Sequence, residues 1–168
     1  MTNWKSGKKH LIFVKESILV ENPVTKDWSL KSNAEKFLFY IRSQQELSES
    51  YLLSINHEDV DLQKRLTKTG IDCFLNNICI DKFDVSPEEE GYWIKFMLIR
   101  NILAKDTMLF VTDLNIALAA AGTGIQTIVI DANESANKKH SNGHVKIINN
   151  LTELLPNKIT YVDLIHAS

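Results

Sequence analysis

Ser54, His57 and Asp59 carry a hydroxyl, an imidazole and a carboxylate, the set that activates a serine for acyl transfer. Their spacing works against that chemistry. Groups at i+3 and i+5 around a strand-to-helix turn do not converge as a triad does, so Asn56 or His57 reads as a helix cap instead. His140 and His144 offer two imidazoles, but they lie in an Asn- and Ser-rich stretch without a companion acid or thiol, and a zinc site needs three or four such ligands. Cys73 and Cys79, in CFLNNIC, have the spacing of neither a zinc knuckle nor a redox pair, which leaves two buried thiols. Gly122-Thr123-Gly124 resembles part of a phosphate-binding loop. It follows a helix rather than a strand, however, so it reads as a helix stop. Two places remain: Asp113, behind the apolar run Met108 to Val111, and the stretch His10 to Glu21, where an apolar run turns polar.

Both places gain meaning from the elements around them. Leu11 to Val14 is a short apolar run suited to a strand buried on both faces. Pro23 to Asn33 is a polar connection, and the apolar residues Phe37, Leu38, Tyr40 and Ile41, behind an Asn or Ser cap, predict a helix over 33–45. Tyr51 to Ile55 is a second strand; Val60, Leu62 and Leu66 mark a helix over 58–69 that Gly70 stops. Asn77 to Ile80 is a third strand. Ser86-Pro87-Glu88-Glu89 supplies a cap, a first-position proline and first-turn acids for a helix running to about Leu103, whose Trp93, Phe96 and Met97 face the core. Met108 to Val111 is the fourth strand, followed by an alanine-rich helix over 115–122. Gln126 to Ile130 is the fifth strand, and 131–143 a polar exposed loop. Val145 to Ile148 is the sixth strand, Leu151 to Leu155 a short helix, and 157–168 a final edge strand or helix. Strands alternating with helices predict a doubly wound, mostly parallel sheet in three α/β/α layers, with ligands beyond the carboxyl ends of the strands.

Composition narrows the functions available. The chain has 168 residues, 44% of them hydrophobic and 24% charged, the profile of one globular domain, 1–168, with a core of about 10–156. A net charge of -2 provides no clustered basic surface for nucleic acid, and Lys5 to Lys9 is a solvated start to the chain. No apolar run reaches the roughly 18 to 20 residues that cross a bilayer, and MTNWKSGKKH has no apolar signal core. The expectation is a cytoplasmic protein with neither a membrane nor a nucleic acid as partner.

From 10 to 156 the segments resemble the haloacid dehalogenase-like (HAD) hydrolases. The first motif of that family is an apolar strand ending in Asp-x-Asp-x-Thr, and HLIFVKESILVE places Val14, Glu16 and Ile18 at those positions. The second motif, a Ser or Thr closing the second strand, is matched by Ser54 in SYLLSINHEDVDLQKRLTKTGI. The fourth, an acid after an apolar strand followed by Asn-Ile and an alanine-rich helix, is matched by MLFVTDLNIALAAAGTG, with Asp113 as the acid and Thr112 beside it. The third motif's lysine is replaced by Glu88 to Glu90, with Lys95 one to two turns later.

This resemblance implies a fold of the Rossmannoid type and a chemistry that the chain lacks. Phosphoryl transfer through an aspartyl intermediate needs a carboxylate nucleophile, a metal between carboxylates and a second acid for the leaving group. An isopropyl group at Val14 can neither attack phosphorus nor bind a metal. Asp113 and Glu16 alone predict weak or absent magnesium binding, because hard cations demand several oxygens at fixed geometry. Neither segment between the motifs has room for a cap domain. In this family an open site tends to face macromolecules, since a protein surface can exclude water as a lid would.

The degenerate positions are therefore Val14, Glu16, Ser54, Lys95 and Asp113, with no catalytic residue and no cofactor expected. The reading favoured is a pseudoenzyme that binds a protein partner as a scaffold or regulator. Its alternative is a magnesium-dependent phosphatase working through Glu16 and Asp113. A third is a receiver-type sheet in which Asp113 is a lone acid at a strand end.

Overall fold

The computed structural model describes residues 9–44, 48–55, 66, 69–71, 75, 77–80, 83–130 and 143–156. Its elements are β1 (Lys9–Val14), α1 (Lys15–Ile18), β2 (Leu19–Glu21), β3 (Trp28–Leu30), α2 (Ala34–Ser43), β4 (Ser48–Ser54), β5 (Asn77–Ile80), α3 (Glu90–Arg100), β6 (Thr107–Val111), α4 (Leu114–Gly122), β7 (Gln126–Ile130) and β8 (Val145–Ile148). Six strands form one sheet in the order β5-β4-β1-β6-β7-β8, and each strand is parallel to its neighbours. Counted along the sheet this is the doubly wound order 3-2-1-4-5-6, with the reversal between β1 and β6. A receiver-type sheet runs 2-1-3-4-5, so the third reading is overturned by the strand order.

Because β1 is paired on both edges and covered on both faces, its side chains alternate between two cores. Leu11 and Phe13 face the cluster built with Phe37, Leu38 and Ile41 of α2, and Ile12 and Val14 face the cluster built with α3 and α4. Phe13 stacks on Phe110 of β6 at 4.4 Å between ring centroids, and Phe37 meets Phe13 edge-on at 6.2 Å. Trp93 and Phe96 are buried against the second face as the sequence predicts, with Met97 partly buried beside them.

Three elements depart from expectation. The supposed polar connection over 23–33 belongs to an antiparallel hairpin of β2 and β3, in which Leu19 pairs with Leu30 and Glu21 with Trp28. Its turn is held by the Asn22 side chain, which accepts from the backbone N–H of Val24 at 2.9 Å and of Thr25 at 3.1 Å. Helix α3 starts at Glu90 and stops at Arg100 rather than about Leu103. Before it, Ser86 Oγ accepts from Glu88 N–H at 3.2 Å, making a capped turn ahead of the helix. After it, Asn101 adopts φ 54°, and Asn101 and Ile102 donate back to the carbonyls of Leu98 and Met97, which closes a Schellman end. At α2, Asn33 makes no side-chain capping bond. The last turn, Leu151–Leu154, is a 3-10 turn rather than an α-helix, held by reciprocal capping between Asn150 and Glu153.

Between β1 and β4 the described residues form α1, the hairpin and α2. The helix expected over 58–69, apart from Leu66 and Thr69, and the segments 131–142 and 157–168 lie outside the described residues, as do Cys73 and His140.

Toward the amino ends of β1 and β4, the Tyr51 hydroxyl lies 3.4 Å from His10 Nδ1, and the Glu49 carboxylate approaches the same imidazole nitrogen at 3.9 Å. Burial, and then the charge of Glu49, its hydrogen bond to the phenol and Cys79, push the Tyr51 hydroxyl up to about 12, with Arg100 opposing. An unfolded chain ionises this phenol near its ordinary value of 10.0. Stability from Tyr51 is therefore complete below that pH and is lost as the pH climbs through about 12. Urea midpoints measured at rising alkaline pH should fall more steeply for the wild type than for Tyr51→Phe; parallel curves would remove Tyr51 as the cause.

Candidate functional site at the carboxyl edge of the sheet

The place where the strand order reverses brings together the ends of β4, β1 and β6. Val14 closes β1 opposite Leu53 of β4, so Ser54 lies one residue beyond Val14's partner. Phe13 pairs with Phe110 of β6, which sets Val111 at the level of Val14 and puts Thr112 and Asp113 just past the edge. Three segments distant in sequence thus deliver Val14, Ser54 and Asp113 to one edge of the sheet, where doubly wound folds bind ligands.

Their chemistry differs from one to the next. The Val14 side chain is buried in the apolar cluster with Leu53, Val111 and Ile116. Its carbonyl accepts from Ser17 Oγ at 2.6 Å, which ties the single turn of α1 to the strand end. Ser54 is fully buried. Asp113 is exposed, yet its Oδ1 accepts from the backbone N–H of Asn115 at 2.8 Å and of Ile116 at 3.2 Å, so it is the N-cap of α4. Lys95 is exposed on α3, with its ammonium 5.3 Å from the Phe83 ring centroid. His144 is exposed beside β8, while His57 and Asp59 lie outside the described residues.

Sequence reasoning passed over Lys15. Although it directly follows the Val14 position, its side chain is only 2% exposed. The ammonium sits 4.3 Å over the Trp28 ring of β3 and 4.0 Å from Glu16 Oε2. Lys31 joins the group from the end of the hairpin, its backbone N–H donating to Ile18 O at 2.9 Å. Burial holds the Lys31 ammonium below its ordinary range, and the Glu16 carboxylate raises it partway back. The Glu16 carboxylate thus lies in the field of two lysines. A signal was available in a charged residue flanked by the apolar strand and Ile18-Leu19, but its burial depends on Trp28 arriving from another strand.

These donors do not fit a magnesium ion. Val14 supplies no oxygen, one oxygen of Asp113 is committed to two amides, and Glu16 faces an ammonium. Magnesium requires a near-octahedral oxygen set. Among the described residues no group of three or more His, Cys, Asp or Glu side chains is placed to hold a metal.

The backbone is shared with a well-populated fold. A haloacid dehalogenase-like family hydrolase from Streptococcus pneumoniae superposes with a TM-score of 0.64 at 12% identity, over 89% of this chain and 97% of that one. The chain has the HAD-like fold. An uncharacterized protein from Listeria monocytogenes serotype 4b gives a TM-score of 0.62 at 16% identity over 87% of this chain and 94% of that one. A HAD hydrolase of family IA, variant 3, from Entamoeba histolytica gives 0.58 at 14% identity, over 84% of this chain and 61% of its own. No protein-family model matches the sequence, and no curated protein matches it either.

The geometry makes a structural role for Asp113 testable in this HAD-like fold. Asp113→Ala should cost about 1 kcal/mol in urea unfolding, whereas Asp113→Asn, which still accepts from the same amides, should retain most of that stability. Equal losses in the two variants would show that the carboxylate does something other than cap α4.

Proposed function

We propose that this chain is a catalytically degenerate HAD-like protein that acts as a binding, scaffold or regulatory module in the cytoplasm, through protein contacts near the former active site. The observation that carries this reading is Val14. At the strand end where an aspartyl mechanism needs its nucleophile, the chain has an isopropyl group packed among Leu53, Val111 and Ile116. The pairing of Glu16 with Lys15 supports it, since an acid held beside an ammonium is poorly placed to give a proton to a leaving group. The hairpin beside this edge also carries two exposed valines, Val20 and Val24, which suits a protein surface better than a small polar substrate. No described helix is long and apolar enough to cross a membrane. Surviving magnesium-dependent hydrolysis through Glu16 and Asp113 is the reading that the following experiments separate from this one.

Purified protein with magnesium should hydrolyse an aryl phosphate no faster than a Glu16→Ala/Asp113→Ala control. Robust turnover that disappears in the control would establish the phosphatase and end the proposal. Magnesium at about a millimolar concentration should leave the melting temperature unchanged, because ligand stabilisation grows only with the logarithm of concentration over Kd. A rise that Asp113→Asn removes would contradict it. Val14→Asp combined with Glu16→Asp should by contrast create magnesium-dependent stabilisation, by supplying the missing oxygens at the strand end.

A further inference from the structure

Lys15 is a lysine turned inward. It directly follows the last residue of β1, where a side chain of its length could carry its ammonium out to water, yet it is 2% exposed. Desolvating an ammonium is costly, and a methionine would fill much the same space without that cost, so a contact of the charge itself must offset the loss of water. Glu16 Oε2 stands at 4.0 Å, beyond hydrogen-bonding distance, and the Glu16 side chain is 44% exposed, so water screens that pair. The Trp28 ring offers more. Its centroid lies 4.3 Å from Nζ, well inside the roughly 6 Å reach of a cation–π contact, which strengthens as the cation is desolvated.

Trp28 stands at the part of the hairpin that most needs an anchor. β2 and β3 have three residues each, and a two-stranded ribbon of that length does not hold its shape alone in water. At its base the hairpin is secured by Leu19, buried opposite Leu30, and by the Lys31 N–H, which donates to Ile18 O at 2.9 Å. The Glu21–Trp28 pair closes the far end, about 7 Å further out, and beyond it comes the turn over 22–27. The indole packs on the first core and also carries the Lys15 ammonium, so this contact ties the far end of the hairpin back to α1.

We infer that Lys15 is a positioning residue for the hairpin: its buried ammonium, seated on the Trp28 indole, latches β2 and β3 against α1 and so fixes where the hairpin stands beside the carboxyl edge. The latch belongs to the free chain. It needs no partner at that edge, and it and the degenerate-site reading can fail separately.

The test is made on the full-length chain by nuclear magnetic resonance. In the wild type the Lys15 Cε protons should lie upfield of their position in an unstructured chain, because they sit in the ring current of the indole, and Trp28→Leu should return them. Amide exchange then reports the latch itself. The Asn22 N–H donates to Asp27 O at 2.8 Å, just past the Trp28 pair. Lys15→Met keeps the length of the side chain and removes its charge, so it should speed exchange at Asn22 by about tenfold or more, while the β1 and β6 amides exchange no faster than in the wild type. Lys15→Arg returns a cation to the indole and should restore protection at Asn22. A role in packing alone would be served by methionine as well as by lysine. An unshifted Lys15 signal, protection at Asn22 unchanged in Lys15→Met or still lost in Lys15→Arg, or faster exchange spread evenly over the sheet would each overturn the assignment.

Discussion

The rest of the structure depends on the burial of β1 from all sides. It is hydrogen-bonded to β4 and β6 and lies under helices on both faces, so Leu11 to Val14 meet almost no water. A strand in that position tolerates a polar side chain only at its carboxyl end, and there only when a function offsets the desolvation. A carboxylate at residue 14 would sit among Leu53, Val111 and Ile116. With valine the second core continues unbroken to the edge of the sheet. Valine at this position thus completes the core where a carboxylate would interrupt it.

The same edge holds a buried cation. Lys15, Glu16, Trp28 and Lys31 form a group in which an ammonium is covered by an indole face and set against a carboxylate, all held by α1 and the hairpin. In a phosphatase the carboxylates at this edge would be matched by a metal and by a phosphate. Here Glu16 is matched by lysines and Asp113 by the first amides of α4. Beside these two carboxylates the hairpin exposes Val20 and Val24.

On the far side of the second core, α3 joins the interior to the surface. Its aromatic residues anchor it on β1, β4 and β6, and its termini are set by local chemistry, a serine-capped turn before Glu90 and the left-handed Asn101 after Arg100.

Much of this was determined by sequence alone. Apolar runs of strand length between helical stretches specify a parallel doubly wound sheet, and the positions of Val14, Ser54 and Asp113 at strand ends follow from where each run turns polar. The 3-10 turn at Leu151 and the two short strands of the hairpin were hidden because three or four residues hold too little of any period to be read. Only the tertiary structure decided the order of the strands, since an alternation of elements is the same in a receiver-type sheet as in this one. It also decided the burial of Lys15, which needs an indole from β3, and the role of Asp113, whose carboxylate could equally have faced a ligand. On α3 the sequence shows apolar residues all round. Which of them face water is settled by the single face that the sheet can cover.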